Sequence, residues 1–161
     1  MSLVLDGSAG ITYPAGSNAQ GAPSKVLQVV TATTATSTST ASTSFVAATN
    51  FSASITPLFS TSKIFVIVSG GALDTRNLNF GMNCTIYRNS TNLGDSSAGF
   101  SYISGAASRI IIPISMSYLD SPATTSSTTY QVYFSSSSGS NTVYINDSNA
   151  VGTITLMEIA Q

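Results

Sequence analysis

The chain carries few residues able to do acid–base or metal chemistry, and their spacing narrows the choice further. The acids are Asp6, Asp74, Asp95, Asp120, Asp147 and Glu158, and there is no His. Without His, the commonest general base and metal ligand are missing, and a Ser-His-Asp triad is excluded. No two acids stand two to four residues apart, as a local acid pair or metal loop often would. A carboxylate pair for glycoside hydrolysis would have to assemble across strands. Most of these acids lie in turn-like contexts, where Asp is an ordinary turn residue. Asn146-Asp147-Ser148-Asn149 sets four oxygen-bearing side chains in a row. It lacks the spacing and the bidentate Glu of a helix–loop–helix calcium site, and reads as a hydrated turn. Asp74-Thr75-Arg76 offers a surface or inter-subunit ion pair. The single Cys84 excludes an internal disulfide and a Cys-based zinc site. It sits in the strand-like run Met82-Asn83-Cys84-Thr85-Ile86 with no basic neighbour, so it reads as a small buried hydrophobe. No catalytic, cofactor-binding or metal-ligating residue is assigned, and no cofactor is expected.

The composition excludes further classes. Of 161 residues, 5 are Lys or Arg and 6 are Asp or Glu, so 7% are charged. An ordinary soluble domain has about 25%. Five scattered cations and a net charge of −1 do not make a nucleic-acid surface, which needs clustered Lys and Arg. Mean hydropathy is high, at +0.27. Yet the longest apolar run, Ile64 to Val68, is five residues, against the ~20 a spanning helix requires. No membrane insertion is expected. Met1 to Asp6 has no basic start, so no secretory signal is read and assembly in a cytoplasm is expected. Asn-x-Ser/Thr triplets such as Asn50-Phe51-Ser52 follow by chance from the Ser/Thr content. That content is 30 Ser and 21 Thr, 51 of 161 residues. Hydroxyls thus stand in for charge. A free monomer of this composition risks edge-to-edge association. Wet Ser/Thr faces and burial by self-assembly are the two remedies.

Residues 1–24 hold Gly7, Gly10, Gly16, Gly21, Pro14 and Pro23, which interrupt regular elements. They read as an extended arm for attachment or oligomerisation, with Leu3, Val4, Leu5, Ile11, Tyr13 and Pro14 as its docking residues. Residues 25–161 read as one β domain. Strands are expected at 26–30 and at 51–55; between them the Thr/Ser-rich stretch from Thr31 to Thr40 reads, on its period-2 Ser/Thr alternation, as a loop followed by a strand through about 45–47, with a disordered linker as the alternative. Residues 63–69 read as a central strand buried on both faces. Further strands are expected at 78–87, from Leu93 after an Asn89-Ser90 turn, and at 100–103, 109–119, 129–134, 142–145 and 153–159. Pro113 demands an edge or a bulge. No segment has helical periodicity. Nine to ten short strands with polar turns point to an all-β fold, an antiparallel β-sandwich of jelly-roll type. Six tyrosines (Tyr87, Tyr102, Tyr118, Tyr130, Tyr133, Tyr144) suit half-buried strand positions and are also available for stacking on sugars.

Two stretches carry a family resemblance. Gly7-Ser8-Ala9-Gly10-Ile11-Thr12-Tyr13-Pro14-Ala15-Gly16-Ser17-Asn18-Ala19-Gln20 resembles a segment of tail-fibre-like virion proteins of marine and freshwater bacteriophages. The order of later motifs is similar to the same group: Ser24 to Val30, Ser54-Ile55-Thr56-Pro57, Ser62 to Val66, Tyr118 to Thr125, and Thr153 to Ile159. Members often have Asp after the Pro of the arm, where this chain has Ala15. The resemblance implies a virion location and a homotrimer held to other virion proteins through the arm. It also implies a fibre or knob acting in host attachment, with host surface polysaccharide as a partner. Asn89, Asn92, Asp95, Asn141, Asp147 and Asn149 are the candidate receptor-facing loop residues. The alternative is a capsid decoration, or cement, protein that stabilises the head lattice. A depolymerase is disfavoured by the absence of His and of clustered acids.

Overall fold

The computed structural model describes residues 4–6, 10–12, 25–76, 80–104 and 108–161. Within the arm, β1 (Val4–Asp6) and β2 (Gly10–Thr12) pair antiparallel, with Leu5 opposite Ile11. A short ribbon therefore stands where the Gly and Pro content argued for no regular element. Leu3, Tyr13 and Pro14 lie outside the described residues, as do Leu78 and Asn79 of the expected 78–87 strand.

The β domain is built from β3 (Val26–Thr34), β4 (Thr38–Thr40), β5 (Val46–Ile55), β6 (Lys63–Asp74), β7 (Met82–Arg88), β8 (Thr91–Asn92), β9 (Ser101–Ile103), β10 (Ile111–Asp120), β11 (Thr128–Ser136), β12 (Val143–Ile145) and β13 (Gly152–Ile159). All their pairings are antiparallel. One sheet runs β10–β6–β13–β3, and β12 and β4 extend the last two positions at the far end of β6. The other runs β5–β11–β7, with β8 and β9 sharing the outer edge of β7. With β8 and β9 taken as one position, each sheet is four strands wide. The two sheet orders, β10–β6–β13–β3 and β5–β11–β7–β8/β9, are those of a jelly roll.

Alternation of side chains places the core between the sheets. Ile64, Val66 and Val68 of β6 face Phe51, Ile86, Val132 and Phe134 of the other sheet, and all seven are buried. This corrects the two-sided burial expected for 63–69. Only alternate residues of β6 are enclosed, while Phe65 and Ile67 point outward and are half-buried. An antiparallel sandwich covers one face of each sheet, unlike a parallel sheet with helices on both.

Three further expectations change. Residues 31–34 are strand rather than loop. Thr31 and Thr33 lie opposite Thr155 and Thr153, and the Thr31 and Thr155 hydroxyls are 3.3 Å apart. β-Branched residues suit that pleated surface. The strands expected at 45–47 and 51–55 are one strand, β5, with a register shift near Asn50, whose φ is +59°. The return strand after Asn89-Ser90 is only Thr91–Asn92. Pro113 lies where expected, on edge strand β10 at the shift between Ile112 and Ile114.

β6 continues past Ser69 because Gly70 and Gly71 adopt φ of +73° and +64°. The Gly71 N–H donates to the Val151 carbonyl at 2.6 Å. That kink lets β13 pair with the first part of β6 and β12 with its last two residues. The segment between β12 and β13 leaves the sheet there, and it carries Asn146 to Asn149.

Candidate functional site

Polar chemistry concentrates at the two ends of the sandwich. At the end where β6 finishes, Asp74 and Arg76 leave that strand, Arg109 precedes β10, and Tyr144 and Asp147 come from β12 and the turn after it. Arg109 forms a two-point contact with Asp74: Nε donates to Oδ1 at 2.9 Å and Nη2 to Oδ2. Arg76 Nε donates to Asp147 Oδ2 at 3.1 Å, and its Nη2 contacts the same oxygen. Arg109 Nη2 also lies 3.4 Å from Asp147 Oδ2. The Arg76 guanidinium sits 4.1 Å above the Tyr144 ring, a cation–π arrangement. Asp74 is fully buried, whereas Arg76 and Arg109 are almost half-exposed. The hydrogen bond from Arg76 holds the Asp147 carboxyl below the usual range, and the aspartates hold both guanidinium pKa values above theirs.

The sequence pointed to a simple Asp74–Arg76 pair and to a separate, hydrated Asn146–Asn149 turn. The fold joins them through Arg109, which sequence spacing could not place. Asn146 is fully buried at φ +54°, and its side-chain amide has no hydrogen-bond partner among the described residues. The turn is thus anchored inward at Asn146 and stays open at Asn149. Asp74 and Asp147 are brought into one cluster by their shared contact with Arg109. Both are held by guanidinium groups, so the cluster ties three chain segments together.

At the opposite end, Arg88 Nη1 donates to both Asp120 oxygens at 2.9 and 3.0 Å. The Tyr130 hydroxyl donates to Asp120 Oδ2 at 2.6 Å. Glu158, fully buried, accepts from Leu58 N–H at 2.8 Å, Phe59 N–H at 3.3 Å and Gln28 Nε2 at 2.6 Å. These bonds fix the turn that exposes Leu58 and Phe59. Burial pushes the Glu158 carboxyl up, but the hydrogen bonds together outweigh it and leave it below the usual range.

The candidate receptor-facing residues do not converge. Asn89 closes the two-residue β7–β8 turn at φ +51°, and its Oδ1 accepts from Thr129 N–H at 3.0 Å. Asn92 lies along the β7 edge, where its Oδ1 accepts from the Thr85 hydroxyl at 2.6 Å and Gly94 N–H at 3.1 Å. Asp95 caps its own turn. Its Oδ1 accepts from the Ala98 and Ser97 N–H groups and the Ser97 hydroxyl, all at 2.8 Å, and these lower its pKa to about 2. Asn141 is in the β11–β12 turn, its N–H donating to the Ser138 carbonyl at 3.2 Å. Asn141, Asp147 and Asn149 sit at the Asp74 end, and Asn89 sits at the Arg88 end. The aromatic residues are similarly engaged. Tyr87 and Tyr133 stack on each other at 3.9 Å, and Phe45 meets Tyr87 edge-on at 6.4 Å. Tyr130 is fully buried, and Tyr102 is the exposed one of the six.

Two predictions follow from these environments. Glu158, Asp147 and Asp95 have depressed pKa values in the folded state. The unfolded chain therefore takes up protons first as pH falls. Their stabilisation is complete above about pH 5 and is lost progressively toward about pH 2. Burial pushes the Cys84 thiol up to about 12 and raises the Tyr130 phenol as well. Stability that rests on keeping these groups neutral is present below about pH 8.5 and is lost as pH rises further. With no His to titrate between, urea midpoints should be level from about pH 5 to 8 and drop on both sides. Cys84 is fully buried, so a thiol reagent should label the native protein only at the rate of unfolding, and label denatured protein at once.

No family model matches the chain, and no curated protein does. Solved structures of infectious bursal disease virus align with it. The VP2 subviral particle matches at 14% identity and a TM-score of 0.37, over 83% of this chain and 38% of that one. The T=1 particles derived from that virus match at 14% identity and a TM-score of 0.39, over 83% and 36%. The Gx strain matches at 14% identity and a TM-score of 0.36, over 83% and 37%. The chain spans little more than a third of the length of these structures, and the alignments carry no argument about what it binds.

Proposed function

We propose that the chain is a virion structural protein, a homotrimer whose β domain acts as a fibre or knob in host attachment and whose arm holds it to other virion proteins. One observation carries this reading. The outward face of the β10–β6–β13–β3 sheet has Leu119, Phe65, Met157 and Val29 in a single cross-strand row. Leu119 and Val29 are 48% and 55% exposed. A contiguous apolar row on a chain with 7% charge suits an assembly surface. Closed symmetry would keep such contacts finite. The resemblance to phage fibre-like proteins supports the same reading. Host surface polysaccharide remains the partner proposed for the attachment role.

A capsid decoration protein is the second reading. It is favoured by the dispersal of Asn89, Asn92, Asp95, Asn141, Asp147 and Asn149 over both ends and one edge of the sandwich, so that these six residues do not form one loop-built surface. Electron microscopy of the intact particle with antibody against this chain separates the two. Label confined to the tail, at a handful of trimers per particle, supports attachment. Label over the head, at hundreds of copies, supports decoration. A particle without the chain contradicts both.

A further inference from the structure

At the end of the sandwich where β13 finishes, an apolar tip stands beside both lysines of the chain. We propose that this end is a peripheral membrane-binding surface: Leu58 and Phe59 enter the interface of an anionic lipid bilayer, and Lys25 and Lys63 meet its headgroups. The surface is distinct from the apolar row and from the loops considered for polysaccharide, and the binding does not depend on where the chain sits in a particle.

Leu58 and Phe59 are adjacent in the turn between β5 and β6, and are 59% and 57% exposed. Neither belongs to the core. The turn is nevertheless fixed. Pro57 and Ser62 on either side of it are buried, and the Ser62 N–H donates to the Phe59 carbonyl at 3.1 Å. The Leu58 and Phe59 N–H groups both donate to Glu158, a fully buried carboxylate. A carboxylate is costly to bury unless it is hydrogen-bonded, and two of the bonds that Glu158 accepts hold this tip. The tip is thus presented in one conformation, which lowers the entropy lost when a partner covers it.

Charge selects the partner. The three arginines are paired with aspartates. The two lysines, Lys25 and Lys63, form no ion pair among the described residues. Both flank the end of β13: Lys63 lies opposite Ile159, and the Lys25 carbonyl accepts from Ala160 N–H at 2.8 Å. The described carboxylates at this end are engaged, Glu158 by the turn and Gln28, and Asp120 by Arg88 and Tyr130. The end therefore joins exposed apolar side chains to two cations with no described carboxylate competing for them. Apolar insertion flanked by Lys is the pattern of interfacial binding to anionic lipid. Lysine suits it, since its methylene stem lies along apolar surface while the ammonium stays in the headgroups. The tip and the lysines come from separate segments around one end, a spread that fits a broad anionic plane better than a single acidic pocket. Such contact is interfacial and needs no spanning segment.

The test is co-sedimentation of the full chain with vesicles of phosphatidylglycerol and phosphatidylcholine in equal parts, against vesicles of phosphatidylcholine alone, up to millimolar lipid. Binding is expected to the anionic vesicles and should fall as salt is raised. Phe59→Ser should lower the partition coefficient about tenfold, and Lys25→Gln and Lys63→Gln about fivefold each. Val151→Ser, which changes a side chain 57% exposed beside the kink at Gly70, should leave it unchanged. Thermal midpoints of the variants check that each is folded. Equal binding to both vesicle types overturns the assignment, as does a loss with Val151→Ser as large as with Phe59→Ser. Failure of the unaltered chain to sediment with either vesicle also overturns it. If the Phe59→Ser chain is then missing from intact particles, the tip belongs to a contact with another virion protein instead.

Discussion

Asp120→Ala is expected to lower the unfolding free energy by about 3–5 kcal/mol, the range for removing one partner of a buried ion pair. Asp120 is 5% exposed and satisfies two groups from the opposite sheet, the Arg88 guanidinium and the Tyr130 hydroxyl. Truncation leaves a fully buried hydroxyl and a largely buried cation without their acceptor. Most of the loss therefore comes from the groups left behind. The Asp120→Ala/Tyr130→Phe double variant should lose less than the sum of the two single changes, because it removes one of the orphans. Urea unfolding of the four proteins measures this. Strict additivity would show that Asp120 and Tyr130 act independently, against the geometry.

Gly152→Val should destabilise at or above the upper end of the ~1–3 kcal/mol that overpacking usually costs. Gly152 faces inward at the start of β13, beside the kink at Gly70 and Gly71. A Cβ there would stand 2.4 Å from Cζ and 2.7 Å from Cε1 of Phe51, a ring only 1% exposed. The ring is enclosed by the core and has nowhere to turn. Relief should come from the other side of the contact. In a Phe51→Leu background, Gly152→Ala should cost clearly less than it does alone, since the shorter side chain makes room. Thermal midpoints of the single and double variants decide this. An equal cost in both backgrounds would mean that the strain lies elsewhere.

Much of the fold was legible because its signals are local. Alternation of Ile110, Ile112, Ile114, Met116 and Tyr118 marked the inner face of β10, and all five lie in or against the core. Pro113 marked the edge. The Thr/Ser-rich stretch was half legible: its Ser/Thr alternation pointed to a strand, but the loop falls later than expected because β3 continues to Thr34 against β13, a partner far away in sequence. The run 63–69 misled for another reason. Continuous apolarity says that both faces avoid charge, and does not distinguish a core from an exposed row. That ambiguity hid the most informative surface of the molecule, since Phe65 acquires meaning only beside Leu119, Met157 and Val29 in the register. The charged cluster was half legible. Asp74 and Arg76 are neighbours in sequence, but Arg109 and Asp147 join them only through the pairing of β6 with β10 and β12. Of the loop residues chosen for receptor contact, Asn89, Asn92 and Asp95 brace their own turns with side-chain hydrogen bonds and Asp147 is tied to Arg76, which sequence spacing alone does not reveal.

The shortage of charge has a consistent physical account in this fold. Apart from Asp6, Lys25, Lys63 and Asp95, the charged residues pair or hydrogen-bond at the two ends of the sandwich. The broad faces are left to hydroxyls, tyrosines and the apolar row. Such faces favour burial against another copy of the chain, and little charge repels its approach. The most direct test is the mass of the intact protein in solution at micromolar concentration, by light scattering. A homotrimer of the 16.5 kDa chain gives three times that mass, close to 50 kDa, and a mass of 16.5 kDa would contradict the account.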